Sequence, residues 1–375
     1  MAKNAIKIPE GWREVRLEEI VNICTGKKDV NEGNPSGKYP FFSCSQKILK
    51  SDNFSFDAEA ILVAGNGDFN VKYYQGKFEA YQRTYVITNK ENNNLKFVFH
   101  VLARSIDKIT ENNQGSTIKY IKIGDLQNFK FLLPPLIIQN KIAEILGAVD
   151  EEVDLVNSVV ERSEKLRSSQ LNRIFVKKDK VVKLGDMVMH VGSGSTPKGG
   201  DKVYLEEGIP FVRSQNVYFD GLRTKDLAYV SKEIHGQMKR TKVFNRDVLL
   251  NITGASIGRA CVVPNGFPEA NVSQHVCIIR PKEKLLPEFL FYFLQSVNGQ
   301  NQIMSLQAGG NRQGLNFQQI RSFKIFVPSL EEQKKSINIL FALDNKILIY
   351  KKIKNNLIQL KKGLMTDLLS GKVKI

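Results

Sequence analysis

Four cysteines and four histidines in 375 residues leave little material for metal or thiol chemistry. Cys24, Cys44, Cys261 and Cys277 stand far apart without a C-x-x-C pair, and His100, His190, His235 and His275 are scattered. That spacing speaks against a zinc site and against a disulfide framework. The thiols are expected to be buried and reduced in a cytoplasmic protein, and His100 and His275, which sit beside apolar runs, to be satisfied structural histidines. There is no long apolar run, and the opening MAKNAIKIPEGW is polar throughout rather than charged and then apolar. A secreted or membrane-spanning chain is therefore not expected.

Catalytic signatures are missing too. No G-x-x-x-x-G-K-[ST] loop occurs, and no G-x-G-x-x-G opens a helix after a strand. GSGSTPKGG (192–200) is glycine-rich and basic, but it lacks the lysine-then-hydroxyl ending and reads as a flexible loop. The N/D-P-P-Y/F tetrapeptide of methyltransferases that act on base amines is absent. An acidic residue two before a lysine, common in metal-dependent nucleases, occurs only at Glu332-x-Lys334 and Asp344-x-Lys346, where it reads as a solvated helix face. No catalytic residue and no metal ligand is assigned, and the chain is expected not to be an enzyme.

What is present is positive charge and a repeat. The formal net charge is +17, which favours polyanions because neutralising phosphates releases condensed counterions. FKFLLPPLIIQNKIAEILGAVD (129–150) returns as FKIFVPSLEEQKKSINILFALD (323–344) at a constant offset of 194, aligning Gln139 with Gln333 and Asp150 with Asp344. The match extends outward: FVFHVL (97–102) answers FLFYFL (289–294), KYPFFSCSQ (38–46) answers GIPFVRSQN (208–216), and VRLEEI (15–20) answers VKLGDM (182–187). The chain reads as two copies of one unit, each a mixed segment followed by a helical one.

The first helical segment begins after Pro134-Pro135 and carries apolar residues at alternating steps of three and four. They are Ile142, Leu146, Val149, Val153, Val156 and Val160, followed by Ser163, Arg167, Gln170 and Ile174. The second begins after Pro328, where Ser329 and Glu332 form a capping-box pattern; its expected seam is Ile339, Leu343, Lys346, Tyr350, Ile353, Leu357, Leu360 and Leu364. Residues 136–176 hold five basic and seven acidic side chains, whereas 331–375 hold ten basic and four acidic, so the two helices should pair with each other. LIIQN in the first copy becomes LEEQK in the second, and Leu136 to Ile138 are expected to be the more buried start.

The mixed segments contain short β-branched or aromatic runs bounded by Gly, Asn and Pro, interrupted by helical patterns at 95–104 and 287–296. Each is expected to be an α+β domain. Their loops offer groups suited to base edges and phosphates. These are Gln82, Arg83, Thr84, Ser116, Thr117 and Lys119 in the first copy. In the second they are Lys198, Arg213, Ser214, Gln215, Asn216, Ser256, Arg259, Asn311, Arg312 and Gln313.

On several of these stretches the sequence resembles the DNA-specificity subunits of type I restriction-modification systems. IPEGW with VRLEEI, GSTIKYIKIGDLQNFKFLLPPL (115–136), GIPFVRSQNV (208–217), TGASIGRACVV (253–263) and PSLEEQKKSINIL (328–340) carry the likeness, which covers essentially the whole chain. The resemblance implies target-recognition domains at 1–134 and 177–328, separated by two long antiparallel coiled-coil helices at 135–176 and 329–375, in a pseudo-two-fold internal repeat. It implies a sequence-specific subunit that reads one half of a split site on double-stranded DNA with each domain, the helices setting the spacer. It also implies two modification (methyltransferase) subunits and, for cleavage, restriction (motor and nuclease) subunits as partners. S-adenosylmethionine, ATP and magnesium would then belong to those partners and no cofactor to this chain. Two departures stand out: the first copy has no clear counterpart of GSGSTPKGG, and Ser43 stands where the second copy has Arg213. The two domains are accordingly expected to read different half-sites. The competing classes are a non-catalytic basic coiled-coil protein that bridges nucleic acid or serves as a scaffold, and a self-sufficient nuclease.

Overall fold

The structure, a computed structural model, describes residues 8–111, 120–176, 181–197, 199, 203–307 and 314–375. The chain divides into two compact units, Met1–Ser158 with Lys351–Ile375, and Val159–Tyr350.

The first unit is built on a six-stranded sheet in the order Val21–Thr25, Thr84–Asn89, Phe56–Ala64, Val71–Ala80, Tyr39–Phe42 and Leu49–Ser51. All its neighbours are antiparallel except Tyr39–Phe42 with Val71–Ala80. Residues 60–64 are buried on both faces, which is why AILVA reads as an unbroken apolar run. Alternation divides them: Ile61 and Val63 pack with Phe97, Val98, Val101 and Leu102 of the helix Leu95–Thr110, while Ala60 and Leu62 pack with Phe42 and Phe78.

The second unit repeats that layering with two four-stranded sheets. In the first of them, Val188–Ser193, Val276–Pro281, Val248–Asn251 and Ala260–Val262 lie side by side. Val248 and Leu250 pack with Phe289, Leu290 and Phe293 of the helix Pro287–Gln295, and Leu249 packs on the opposite face with Val212 and Val272. The second sheet runs Ala228–Val230, Ile209–Val212, Ala270–Val272, Lys242–Val243, again with one parallel pair, Ile209–Val212 with Ala270–Val272. The architecture is α+β, as the strand and helix patterns predict.

The two long helices run Leu136–Ile174 and Leu330–Leu368, 39 residues each, or ~60 Å at 1.5 Å per residue. In the first unit the N-terminal part of one packs with the C-terminal part of the other: Ile142, Ala143 and Leu146 share a core with Met365, Leu368 and Leu369. In the second unit Leu171 and Phe175 share a core with Leu340. The pairing is antiparallel in each. Every expected seam position of the first helix, from Ile142 through Ile174, is buried or half-buried.

The second helix corrects the sequence reading by one residue at every other position. Leu343, Tyr350, Leu357 and Leu364 face inward as expected, but Ile339, Ile353 and Leu360 are 48, 39 and 52% exposed and Lys346 is exposed with them. The inward positions beside them are Leu340, Ile347, Lys354 and Lys361. Two of these four are lysines, whose stems cover apolar surface while the charge sits at the tip, at Lys361 bonded to Asp150, so the apolar neighbours Ile353 and Leu360 are the natural but wrong choices from sequence. The start of the first helix needs a similar correction. Leu136 and Ile138 are half-buried, but Ile137 is 66% exposed, because it sits about 200° round the helix from the buried Gln139.

Gln139 and Gln333, 2 and 0% exposed, fix the two helix starts in the same way. Gln139 Oε1 accepts from the Asn94 N–H at 2.9 Å and its Nε2 donates to the Pro134 carbonyl at 2.9 Å. Gln333 Oε1 accepts from the Leu286 N–H, and its Nε2 donates to the Lys284 and Pro328 carbonyls, all at 2.9 Å. Each amide joins a proline stop to the residue that opens the domain's helix. Gln333→Leu leaves these buried backbone groups unpaired and should cost about 2 kcal/mol. Urea unfolding of the full chain checks it; a stability within a few tenths of wild type would show that the amide is dispensable.

Candidate nucleic-acid interface

In the second unit the strand Val248–Asn251 ends at a buried amide that gathers two loops. Asn251 Nδ2 donates to the Ser214 carbonyl at 2.8 Å and to Ser256 Oγ at 3.1 Å. The chain then turns at Gly254, whose φ of +74° is ordinary for glycine and costly for other residues. The result is a cleft lined by Ser214, Gln215, Tyr218, Thr253 to Ser256, Arg259 and His275. Two guanidiniums lie over the Tyr218 ring, Arg223 at 3.4 Å and Arg259 at 5.0 Å from its centroid. Arg223 also reaches Asp220 Oδ2 at 3.5 Å, so of the two guanidiniums on the ring it is Arg259 that lines the cleft. Thr253 Oγ1 lies 2.6 Å from His275 Nδ1. Leu315 N donates to the Ile252 carbonyl at 2.9 Å and Thr253 pairs with Gly314, so the chain rejoins this cleft just after 308–313.

The first unit builds the same frame. Gly67 has φ +73°, Asn66 pairs with Tyr120, and Ile121 N donates to the Gly65 carbonyl at 2.8 Å. Asn70 Nδ2 donates to the Cys44 carbonyl at 2.9 Å, and Lys72 Nζ donates to the Ser45 carbonyl at 2.8 Å. Burial holds the Lys72 ammonium below the usual lysine range.

The frames coincide at a two-residue turn. Aligning EAYQRTYVIT (79–88) with NVSQHVCIIR (271–280) places Gln82-Arg83 on Gln274-His275, and all four residues are exposed. Tyr81 N donates to the Phe42 carbonyl and Ser273 N to the Val212 carbonyl, each at 2.9 Å. The Arg83 carbonyl accepts from Gly65 N at 2.9 Å, and the His275 carbonyl from Ile252 N at 3.0 Å. Behind each turn a glycine lets another strand pass: a Cβ on Gly26 would lie 2.2 Å from the Ala80 carbonyl oxygen, and one on Gly194 1.5 Å from that of Val272. TGKK (25–28) is thus the first unit's counterpart of the start of GSGSTPKGG.

The sequence-predicted residues divide three ways. Gln82, Arg83, Ser214, Gln215, Ser256 and Arg259 lie at these loops, with Arg213 beside them, its guanidinium 5.7 Å from the Tyr204 ring. Thr84 and Asn216, each 1% exposed, are corrected to structural roles. Thr84 Oγ1 donates to the Phe42 carbonyl, and Asn216 clasps its loop by accepting from Arg213 N and donating to the Arg223 and Asp226 carbonyls. Ser116, Thr117, Lys119, Lys198, Asn311, Arg312 and Gln313 lie outside the described residues.

Sequence reasoning missed Gln274, Tyr218 and His275, the last because a strand-side histidine is more often structural, whereas Thr253 opens the TGASIGR loop (253–259) that the sequence does single out. The repeat would have found the turn, since QR and QH occupy matching places. Two other expectations change. Cys261 and Cys277 are buried, with burial pushing each thiol up to about 12, but Cys24 is exposed and Cys44 half-buried. Asp344 is no solvated helix face: it accepts from Arg167 and from the Tyr292 hydroxyl.

Among the described residues no three His, Cys, Asp or Glu side chains could together hold a metal ion, and no helix is long and apolar enough to cross a membrane.

Comparison with known proteins places this arrangement. The profile of the type I restriction modification DNA specificity domain matches residues 9–162 and 177–359. The specificity subunit of the type I restriction enzyme EcoDI from Escherichia coli is 41% identical over 159 residues, 42% of this chain and 36% of that relative. That of MjaVIII from Methanocaldococcus jannaschii is 24% identical over 99% of this chain and 95% of its own length. Among solved structures, the type I restriction-modification S subunit from M. genitalium superposes with a TM-score of 0.69 over 98% of both chains at 21% identity, a likeness of fold. With two matched segments that together span most of its length, the chain belongs to the type I restriction modification DNA specificity family.

Proposed function

We propose that this chain is the sequence-reading subunit of a type I restriction-modification complex. Each unit reads one half of a bipartite site on double-stranded DNA, and the long helices set the spacer between the halves. The observation that carries this reading is one rigid turn-and-loop frame built twice, with different exposed side chains, on a chain of net charge +17. Frames in common with differing tips suit two half-sites of different sequence. The chain has no catalysis of its own in this reading. It acts in the cytoplasm with two modification subunits and, for cleavage, with restriction subunits; S-adenosylmethionine, ATP and magnesium are bound by those partners.

Single-molecule sequencing of host DNA with and without the gene tests the reading: one bipartite methylation motif should appear with it and vanish without it. A chain that bridges DNA without reading it would leave the methylome unchanged and bind all duplexes with a similar steep salt dependence. The spacer can be tested in the same assay. Four residues add ~6 Å of helix, and DNA rises about 3.4 Å per base pair, so a four-residue insertion in a long helix should lengthen the spacer by ~1–2 base pairs. An unchanged spacer would sink the helical-ruler idea while leaving the half-sites intact.

A further inference from the structure

Both units present a glutamine at the same exposed turn and follow it with a different residue, Arg83 in the first and His275 in the second. The turn is not a loose loop. It is tied before the glutamine through Tyr81 N or Ser273 N, and after it through the Arg83 or His275 carbonyl, so the backbone aims both side chains from a fixed base. Yet the amides themselves are weakly engaged: Gln82 Nε2 reaches Asp29 Oδ2 only at 3.5 Å, and Gln274 Nε2 reaches His275 Nε2 only at 3.4 Å. Bonds that long yield readily to a better partner. The other variable position nearby is less free. Asn70, which matches Arg259, is 8% exposed and already committed to the Cys44 carbonyl.

Resting on the DNA-specificity reading above, we infer that this turn is a base-reading position in each unit. The glutamine specifies the same base in both half-sites, and the residue after it makes the half-sites differ. The chemistry follows from the side chains. A glutamine amide matches the N6 and N7 edge of adenine, and an arginine fork matches O6 and N7 of guanine, both through paired bonds. His275 has one ring nitrogen occupied by Thr253 and so offers a single contact where Arg83 offers two. Each half-site therefore contains an adenine read by the glutamine. The first unit's half-site has a strictly required guanine beside it, and the second unit's half-site a looser preference.

The exchange Arg83→His and His275→Arg tests this, because each substitution installs what the other unit already carries at an exposed position. A random duplex library bound by the full chain with its methyltransferase partner, and sequenced after selection, gives the consensus. Arg83→His should relax one base pair in one half-site, lowering discrimination there about tenfold, and His275→Arg should add a guanine requirement to the other half. Gln82→Ala should relax the neighbouring adenine. An unchanged consensus in all three variants overturns the inference, as does a uniform loss of affinity with the same consensus, which is the mark of a phosphate contact. A wild-type chain that enriches no sequence overturns the specificity reading itself, and this inference with it.

Discussion

His100→Tyr should remove about 3 kcal/mol of the acid sensitivity of the first unit. His100 is 2% exposed and its Nδ1 has no hydrogen-bond partner among the described residues. Burial, and then the ammonium groups of Lys361 and Lys96, pull its pKa down to about 3. An unfolded histidine takes up its proton near pH ~6.5. Between those two values the unfolded state therefore binds one more proton than the folded state, and the free energy of unfolding falls as the pH falls. The contribution is fully present above about 6.5, is lost progressively below it, and amounts to about 3 kcal/mol between pH 7 and pH 4. Tyrosine has no such proton to gain.

The substitution also copies the other repeat. FVFH (97–100) aligns with FLFY (289–292), so His100 stands where the second unit has Tyr292, whose hydroxyl donates to Asp344 Oδ2 at 2.9 Å. Asp150, the counterpart of Asp344, is bonded to Lys361 and is the expected acceptor for a tyrosine at 100. Trp12, the one tryptophan of the chain, packs against the core of the first unit, so its fluorescence follows that unit alone. Urea titrations at pH 7 and pH 4 should show a loss roughly 3 kcal/mol larger in wild type than in the variant. Equal losses would mean that other groups carry the acid response.

The two repeats differ in how much of their fold local sequence discloses. Local rules suffice for the frame: Pro134 and Pro328 precede the two long helices, Ser329 and Glu332 close a capping box with N···O contacts of 3.3 and 3.0 Å, and the Ile142 to Ile174 seam needs only alternating steps of three and four residues. Lys354 and Lys361 defeated the second seam because an inward lysine carries its apolar character in its stem and its charge at its tip. Thr84 and Asn216 resemble free loop side chains in sequence for a related reason. Their polar groups are spent on backbone carbonyls and amides that only the fold brings near. Gln82 and Asn216 look alike as loop amides in a sequence, yet one is exposed and the other is 1% exposed. The repeat itself carried more information than any single loop, since matching places in two copies share a backbone role and differ where exposed side chains are free to vary.

Asp344→Ala should destabilise the second unit by about 2 kcal/mol, while Asp150→Ala should cost the first unit under about 1 kcal/mol. The offset of 194 relates Asp150 to Asp344 and also Arg167 to Lys361, and the ion pairs cross between copies: Asp150 with Lys361, Asp344 with Arg167. The two are equivalent by sequence but unequal in surroundings. Asp344 accepts from Arg167 and from the Tyr292 hydroxyl, and Arg167 is further held by Gln295 Oε1 at 2.7 Å. Burial, reinforced by Asp344, raises the Tyr292 hydroxyl well above the usual phenol range, so it stays a donor at every relevant pH. Removing the carboxylate therefore leaves a half-buried guanidinium without its counter-ion and a buried hydroxyl without its acceptor. Solvent at Asp344, whose side chain is 34% exposed, keeps the cost below that of a fully buried pair. In the first unit Lys361 can extend its ammonium into water once Asp150 is gone. Calorimetry of both variants, with Trp12 fluorescence marking the first unit, separates the two costs. Asp344→Asn, which retains an acceptor for Tyr292, should recover about half of the loss, and the Arg167→Ala/Asp344→Ala cycle should show a coupling of about 1 kcal/mol. Equal costs for Asp344→Ala and Asp150→Ala would show that the simple ion pair, rather than the tyrosine-linked network, sets the strength of both contacts.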